Sequence, residues 1–408
     1  MTQLAGVAAP ASGFDPSDLE VQRDPYPYYH WLLRNDPVHY GAMGIWFVSR
    51  YADVRSVMSD PRFARAGIRD FWAELVGPGP LSEIMRRTLF FQDDPDHARL
   101  RTLIGPIFAP RVLRSLQASI DETVDELLAP LLRTRAMDVI NDIAYPLALS
   151  TMSRLLGLPE NDLVQFRTWS LGIGPTLDLA ASPEEIARGQ QAMGEFTDYI
   201  RELIPKRRRE PGEDLLSVML RAHDGADPVV SENEILSTII TLVFAGHETV
   251  TNQIGNGILT LIHHADQRKL LQAEPDRIAD AVEEIVRYDS SVQSNSRQLV
   301  EDVDFHGQTM RRGELVVALV GAANRDPAEF VDPDRFDVTR TNVHPMTFGA
   351  GMRFCLGAIL ARMELRSAFG RFVRLNDVRL AVPEDELVYQ RSTMFRGLVS
   401  LPITFTAA

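Results

Sequence analysis

Along the first half of the chain, apolar residues recur mostly at helical spacing, interrupted at short intervals by proline and glycine. Tyr26 to Arg34, behind Pro25, and Ala52 to Met58 read as helices, with a short β-like piece at Trp46 to Ser49 between them. From Val112 to Ile204 the spacing stays mostly helical, punctuated at Pro146, Pro159, Pro175 and Pro183. The clearest element opens at Ser231-Glu232-Asn233-Glu234, a capping box in which serine hydroxyl and glutamate satisfy each other's orphan amides. The helix predicted behind it runs to about His264, about 50 Å at 1.5 Å per residue. Its first half, Ile235 to Ala245, carries no charge, so it is expected to cross the interior rather than lie on the surface. A helix over Asp276 to Tyr288, a β-rich stretch over Leu299 to Leu319, and a Pro-, Asp- and Gly-rich segment from Asp326 to Gly351 follow. A last helix is predicted from near Cys355 to about Val373. The fold class is mainly α with small β-sheets at the margins. Without internal repeats or a Gly/Ser-rich linker, residues 1–408 are expected to form a single domain.

Charge narrows the partners. The 56 acidic residues outnumber the 42 basic ones, for a net charge of −14, so neither nucleic acid nor an anionic membrane surface is expected to bind the whole chain. The one basic run, Lys206-Arg207-Arg208-Arg209 between Pro205 and Pro211, reads as a solvated helix end. There is a single cysteine, so no disulfide can form within the chain, which fits a reducing compartment. Met1 to Asp15 lacks the pattern of a signal peptide, and Ile239 to Gly246 is too short an apolar run to span a bilayer. A cytoplasmic monomer is the expectation.

Four segments carry residue types suited to chemistry. Phe348-Gly349-Ala350-Gly351-Met352-Arg353-Phe354-Cys355-Leu356-Gly357 is a glycine-rich turn leading to a cysteine at a helix start. Unpaired amides and the positive end of the helix dipole favour a thiolate there, and a thiolate is what a soft, donating metal ligand requires. Alone, such a cysteine is more often an inert core residue. Glu284 and Arg287 sit at i,i+3, either as an ordinary exposed pair worth tenths of a kcal/mol or as something buried. Ala245-Gly246-His247-Glu248-Thr249-Val250 places small residues, an acid and a hydroxyl mid-helix, either for proton handling or as polar groups satisfied within the helix. His97 and Arg101 share a helix face at i,i+4, a spacing that alone would indicate only a solvated helix start.

Taken together, these segments resemble the cytochrome P450 family. The decapeptide 348–357 is similar to its haem-binding loop nearly position by position. Glu284-Ile285-Val286-Arg287 fits its Glu-x-x-Arg pair, and Ala245 to Thr249 its oxygen-activation motif. The resemblance extends from Asp24-Pro25-Tyr26-Pro27 to the last helix, and the absence of a membrane anchor matches soluble bacterial members. It implies the P450 fold, with haem b between the long central helix and the helix of the cysteine loop. It implies Cys355 as the iron ligand, with Ala245, Phe348 and Gly349 against the cofactor. His97, Arg101, Arg297 and Arg353 would be partners of its two carboxylates. Many bacterial relatives carry histidine at the position of Arg353, and arginine serves the same end. Arg335, in the Pro-rich loop, is expected to complete the Glu284–Arg287 network. Thr249 and Glu248 would deliver protons, and small residues at 245 and 246 would let the helix pass close to the haem.

The implied reaction inserts one atom of dioxygen into a hydrophobic small molecule. Electrons come from a separate ferredoxin and ferredoxin reductase supplied by NAD(P)H, because the chain has no flavin- or ferredoxin-like segment. The alternatives are a peroxygenase, against which the Glu248-Thr249 pair argues, and a haem- or ligand-binding sensor without turnover. The expected pocket walls are Phe71, Trp72, Leu75, Met85, Phe90 and Phe91, with Leu171 to Leu179, Thr241, Gln293 to Asn295 and Met394-Phe395. A polyketide- or macrolide-like secondary metabolite is the expected substrate. Arg99, Arg111, Arg114, Arg362 and Arg366 are expected to form a basic patch for an acidic ferredoxin.

Overall fold

A computed structural model describes residues 14–41, 43–178 and 181–406; the signal-peptide reading at residues 1–13 and the pocket position Leu179 lie outside them. By its internal contacts the chain divides into two units, one of residues 1–64, 255–355 and 384–399, the other of 65–254, 356–383 and 400–408.

The first unit is built on a five-stranded sheet. The run Ile45–Val48 is buried at every position and lies parallel to Leu315–Leu319, with Ile45 opposite Leu315 and Val48 opposite Ala318. A continuous apolar run suits a strand covered on both faces. Ser294–Leu299 pairs antiparallel on the other side of Leu315–Leu319, which places Arg297 opposite Val316. The helix Tyr51–Ser59 lays Val54 and Val57, both fully buried, into a core shared with Val316, Ala318 and Met346. A two-stranded hairpin, Val303–Phe305 with Gln308–Met310, turns at His306-Gly307, both at positive φ, as a tight hairpin turn demands. The helix Ile278–Tyr288 follows a short 3-10 turn and buries Ala281, Val282, Ile285 and Val286 along one stripe.

The second unit is mainly helical, with a three-stranded sheet of Ala136–Asp138, Pro402–Thr406 and Asn376–Leu380. Two prolines act otherwise than as breaks. Pro183 opens the helix Pro183–Arg209 behind a second capping box, Ser182 with Glu185, and Pro205 lies inside that helix. The basic run is therefore its last turn, where Arg208 pairs with Asp224 at 2.9 Å and Arg207 with Asp214 at 3.2 Å.

The central helix is Glu232–His263, with the predicted box at its start: Glu234 N–H donates to Ser231 Oγ at 3.3 Å and Ser231 N–H to Glu234 Oε2 at 2.8 Å. Residues Ile235, Leu236, Ser237, Thr238, Ile239 and Ile240 are each at most 2% exposed, so this stretch is interior on all sides. The last helix is Ala358–Phe372, and Cys355 stands three residues ahead of it. Among the described residues no helix is long and apolar enough to cross a membrane.

Candidate active site

In the first unit the cysteine loop folds around two glycines at positive φ, Gly349 at 76° and Gly351 at 65°, where a side chain would be strained. A Cβ on Gly351 would come within 3.1 Å of the Ser59 Cα, so the loop lies directly on the helix Tyr51–Ser59. A Cβ on Gly349 would meet nothing nearer than 3.6 Å, so that side is open. The Cys355 N–H donates to the Phe348 carbonyl at 2.8 Å, which fixes the backbone and leaves the thiol exposed. Arg353 is half-buried in the same turn. Arg297 is buried, and its Nη1 donates to the Ser296 carbonyl at 2.9 Å and to Asn295 Oδ1.

Also in this unit, Glu284 and Arg287 are both fully buried and joined twice, at 2.7 and 2.8 Å, which excludes the exposed-pair reading. The third partner is Arg340, whose Nε lies 3.2 Å from Glu284 Oε1. This corrects the expectation for Arg335. Its guanidinium is 66% exposed and faces Asp337, and only its backbone carbonyl enters the network, accepting from Arg287 and Arg340. Arg287 is satisfied further by the carbonyls of Asn324 and Pro333.

In the second unit, Ala245 is exposed although Val243, His247 and Val250 around it are buried, so the central helix is open on one face there. Thr249 lies a turn beyond it, its hydroxyl donating to the Ala245 carbonyl at 2.9 Å and its oxygen lone pairs left as acceptors. Gly246 does not share that face. A Cβ there would sit 2.3 Å from Met152 Sδ, so its smallness admits the helix Tyr145–Leu156 instead of a cofactor. Glu248 is 12% exposed and accepts from Asn252 at 3.2 Å. His247 is fully buried, contacting the Val243 carbonyl and Tyr145, and burial holds its pKa below the usual histidine value. Tyr145 was not singled out from sequence; nothing in Tyr145-Pro146 signals a partner a hundred residues away.

On the helix Asp96–Ile104, His97 is buried and Arg101 half-buried, so His97 is no part of a solvated helix start. Of the expected pocket walls in this unit, Phe71 and Phe90 are exposed, whereas Trp72, Met85 and Phe91 are buried in the core. The expected basic patch loses one member, because Arg99 is bound to Asp96 and Glu234. Arg111, Arg114 and Arg366 are exposed.

Residues 160–403 match the family model described as Cytochrome P450. The chain belongs to the cytochrome P450 family. A crystal structure of CalO2 superimposes with a TM-score of 0.94 at 55% identity, over 97% of this chain and 100% of that one. The vitamin D(3) 25-hydroxylase of Pseudonocardia autotrophica is 38% identical over 98% of each chain. The polyketide biosynthesis cytochrome P450 PksS of Bacillus subtilis is 33% identical, over 96% of this chain and 98% of its own length. This P450 is accordingly an oxidoreductase that incorporates oxygen, with haem b as cofactor. Its residues fit that group. In the first unit an exposed thiol sits in a loop with an open glycine side, alongside Arg297 and Arg353 as cations suited to carboxylates; in the second the central helix presents a small residue at an open position.

Proposed function

We propose that this P450 is a single catalytic domain over 1–408 that hydroxylates or epoxidises a hydrophobic polyketide- or macrolide-type metabolite. Cys355 would hold the haem iron through its thiolate. The observation that carries the reading is the cysteine loop: the chain's one sulfur of thiolate chemistry, exposed, with its backbone anchored through Phe348. Bound haem supplies the reductive activation of dioxygen, with the electron-rich sulfur favouring O–O cleavage. Ala245 would leave room for the group on the helix face, and His97, Arg101, Arg297 and Arg353 would hold its carboxylates by charge-assisted hydrogen bonds. Thr249 orients a hydrogen bond at the open face, and Glu248 beside it carries the proton. The substrate class draws on the likeness to PksS, and the exposed Phe71 and Phe90 support an apolar ligand.

The test is spectroscopic and kinetic. The carbon monoxide adduct of the reduced parent should show the long-wavelength Soret band of a thiolate ligand. Cys355→Ser should lose band and oxygenase activity together; a serine variant keeping both rules out this ligand. Thr249→Ala should retain haem and substrate binding but divert electrons to hydrogen peroxide. Product formed per NADPH consumed should fall at least several-fold, one general acid–base contribution being worth about 10²- to 10⁴-fold in rate. Peroxide-driven turnover without any partner would favour the peroxygenase alternative, and binding spectra without product the sensor.

Electrons would come from a cytoplasmic ferredoxin and its reductase, with the exposed Arg111, Arg114 and Arg366 as the steering surface. Reversing Arg366 to Glu should slow reduction by ferredoxin most at low ionic strength, where screening is weakest. Rates equal to the parent's at every salt concentration would move the docking face elsewhere.

A further inference from the structure

The buried His247 has no part in the function proposed above, yet its two nitrogens are unequally occupied. Nδ1 lies 2.6 Å from the Val243 carbonyl, which can only accept, so Nδ1 carries the hydrogen. Burial keeps the ring neutral, and Nε2 is therefore the accepting nitrogen. Tyr145 O–H, 3.1 Å away, donates to it; burial raises the tyrosine's pKa and keeps that hydroxyl protonated. The same Nε2 stands 3.7 Å from Glu248 Oε2. A lone pair repels a carboxylate and accepts a hydrogen bond from a carboxylic acid, whereas Asn252, on the other side, donates to the Glu248 oxygen at 3.2 Å. The charged group facing the pair from the helix Leu163–Ile173 is Arg167, its guanidinium 4.5 Å over the Tyr145 ring and bound to Asn141.

We propose that the Tyr145–His247 pair positions Glu248: the accepting Nε2, shared with Tyr145, turns the ionised carboxylate toward Asn252 and draws the side chain to itself only when the carboxyl carries a proton. Glu248 would then change place with each proton it gains or loses, so that loading and delivery occur at two different positions of one side chain. Tyr145 and His247 are positioning residues that touch neither substrate nor haem in this scheme. Tyr145 competes for the lone pair and thereby sets how readily the protonated carboxyl is drawn in.

This rests on the proton-carrying role given to Glu248, and the experiment separates the two. In the haem-loaded, substrate-free protein, infrared difference spectra follow the protonated carboxyl of Glu248, identified as the band lost in Glu248→Gln. Tyr145→Phe frees Nε2 for the carboxyl, so its titration midpoint should rise by about 0.5 to 1 pH unit, the worth of one hydrogen bond. In a His247→Leu background the same Tyr145→Phe change should have no effect, because the tyrosine acts through the imidazole. The pH profile of product formed per NADPH should move with the infrared midpoint. An unshifted midpoint in Tyr145→Phe, or an equal shift in both backgrounds, overturns the proposal. If Glu248→Gln leaves coupling unchanged, the proton-carrying role of Glu248 fails instead, and the midpoints still decide whether Tyr145 and His247 position it.

Discussion

Glu284 with Arg287, and His247 with Glu248, are both an acid and a base on one helix, and their surroundings take them in opposite directions. Around Glu284 the protein supplies donors until the carboxylate is spent: two arginines and the Asp337 amide bind it, and five backbone carbonyls accept from the two guanidinium groups. A charge removed from water is tolerated only when so compensated. Around Glu248 the supply stops short. One amide reaches it, the neighbouring imidazole offers a lone pair, and the side chain keeps 12% of its exposure. The first arrangement has one stable state and is structural. The second leaves an acid with two partners of opposite preference, which is what a group that must change protonation requires. Helix spacing does not separate the two; the completeness of the hydrogen bonding does.

The sharpest way to break the comparison is to leave the first site as under-supplied as the second. Arg287→Ala strands a fully buried carboxylate and should destabilise the protein by about 3–5 kcal/mol, read by denaturant unfolding. A smaller loss would mean that the Glu284 site can relax, as proposed for Glu248. Arg340→Ala removes one charge-assisted bond at the rim and should cost about 1.5–3 kcal/mol. Arg335→Ala, which keeps the carbonyl that enters the network, should stay within about 0.5 kcal/mol. Equal losses for Arg335 and Arg340 would return Arg335 to the network.

An effect visible only as pH changes concerns a third acid, Glu364 on the helix Ala358–Phe372. It is 1% exposed, Oε1 has no hydrogen-bond partner among the described residues, and burial pushes its pKa well above the usual carboxylate range. The folded state thus holds a proton that the unfolded state releases at an ordinary carboxylate pKa. Stability must then fall as pH rises through the window between the two values. Glu364→Gln has no proton to lose. It should match the parent below the ordinary carboxylate range and unfold at higher denaturant than the parent as pH rises above it. Parallel profiles at all pH values would show that the buried carboxyl finds a partner.

The chain's sequence, by itself, determined the class and the local elements. Capping at Ser231 and the cysteine loop are written in residues close together, and the contacts that realise them are equally local, whereas the uncharged run behind Ser231 and the strand around Trp46 announce burial by composition alone. The P450 assignment was legible for the same reason, since its motifs are short runs at fixed spacing. Tertiary structure decided which of several chemically equivalent residues is used. Arg340 rather than Arg335 meets Glu284, although both are arginines of one loop, because the backbone there turns the Arg335 carbonyl inward and its guanidinium out. Gly246 meets Met152, and His247 meets Tyr145, because the packing of the helix Tyr145–Leu156 fixes which face of the central helix is closed and which is open at Ala245. Helical periodicity names the faces of a helix, but only the neighbours that cover them give each face its chemistry.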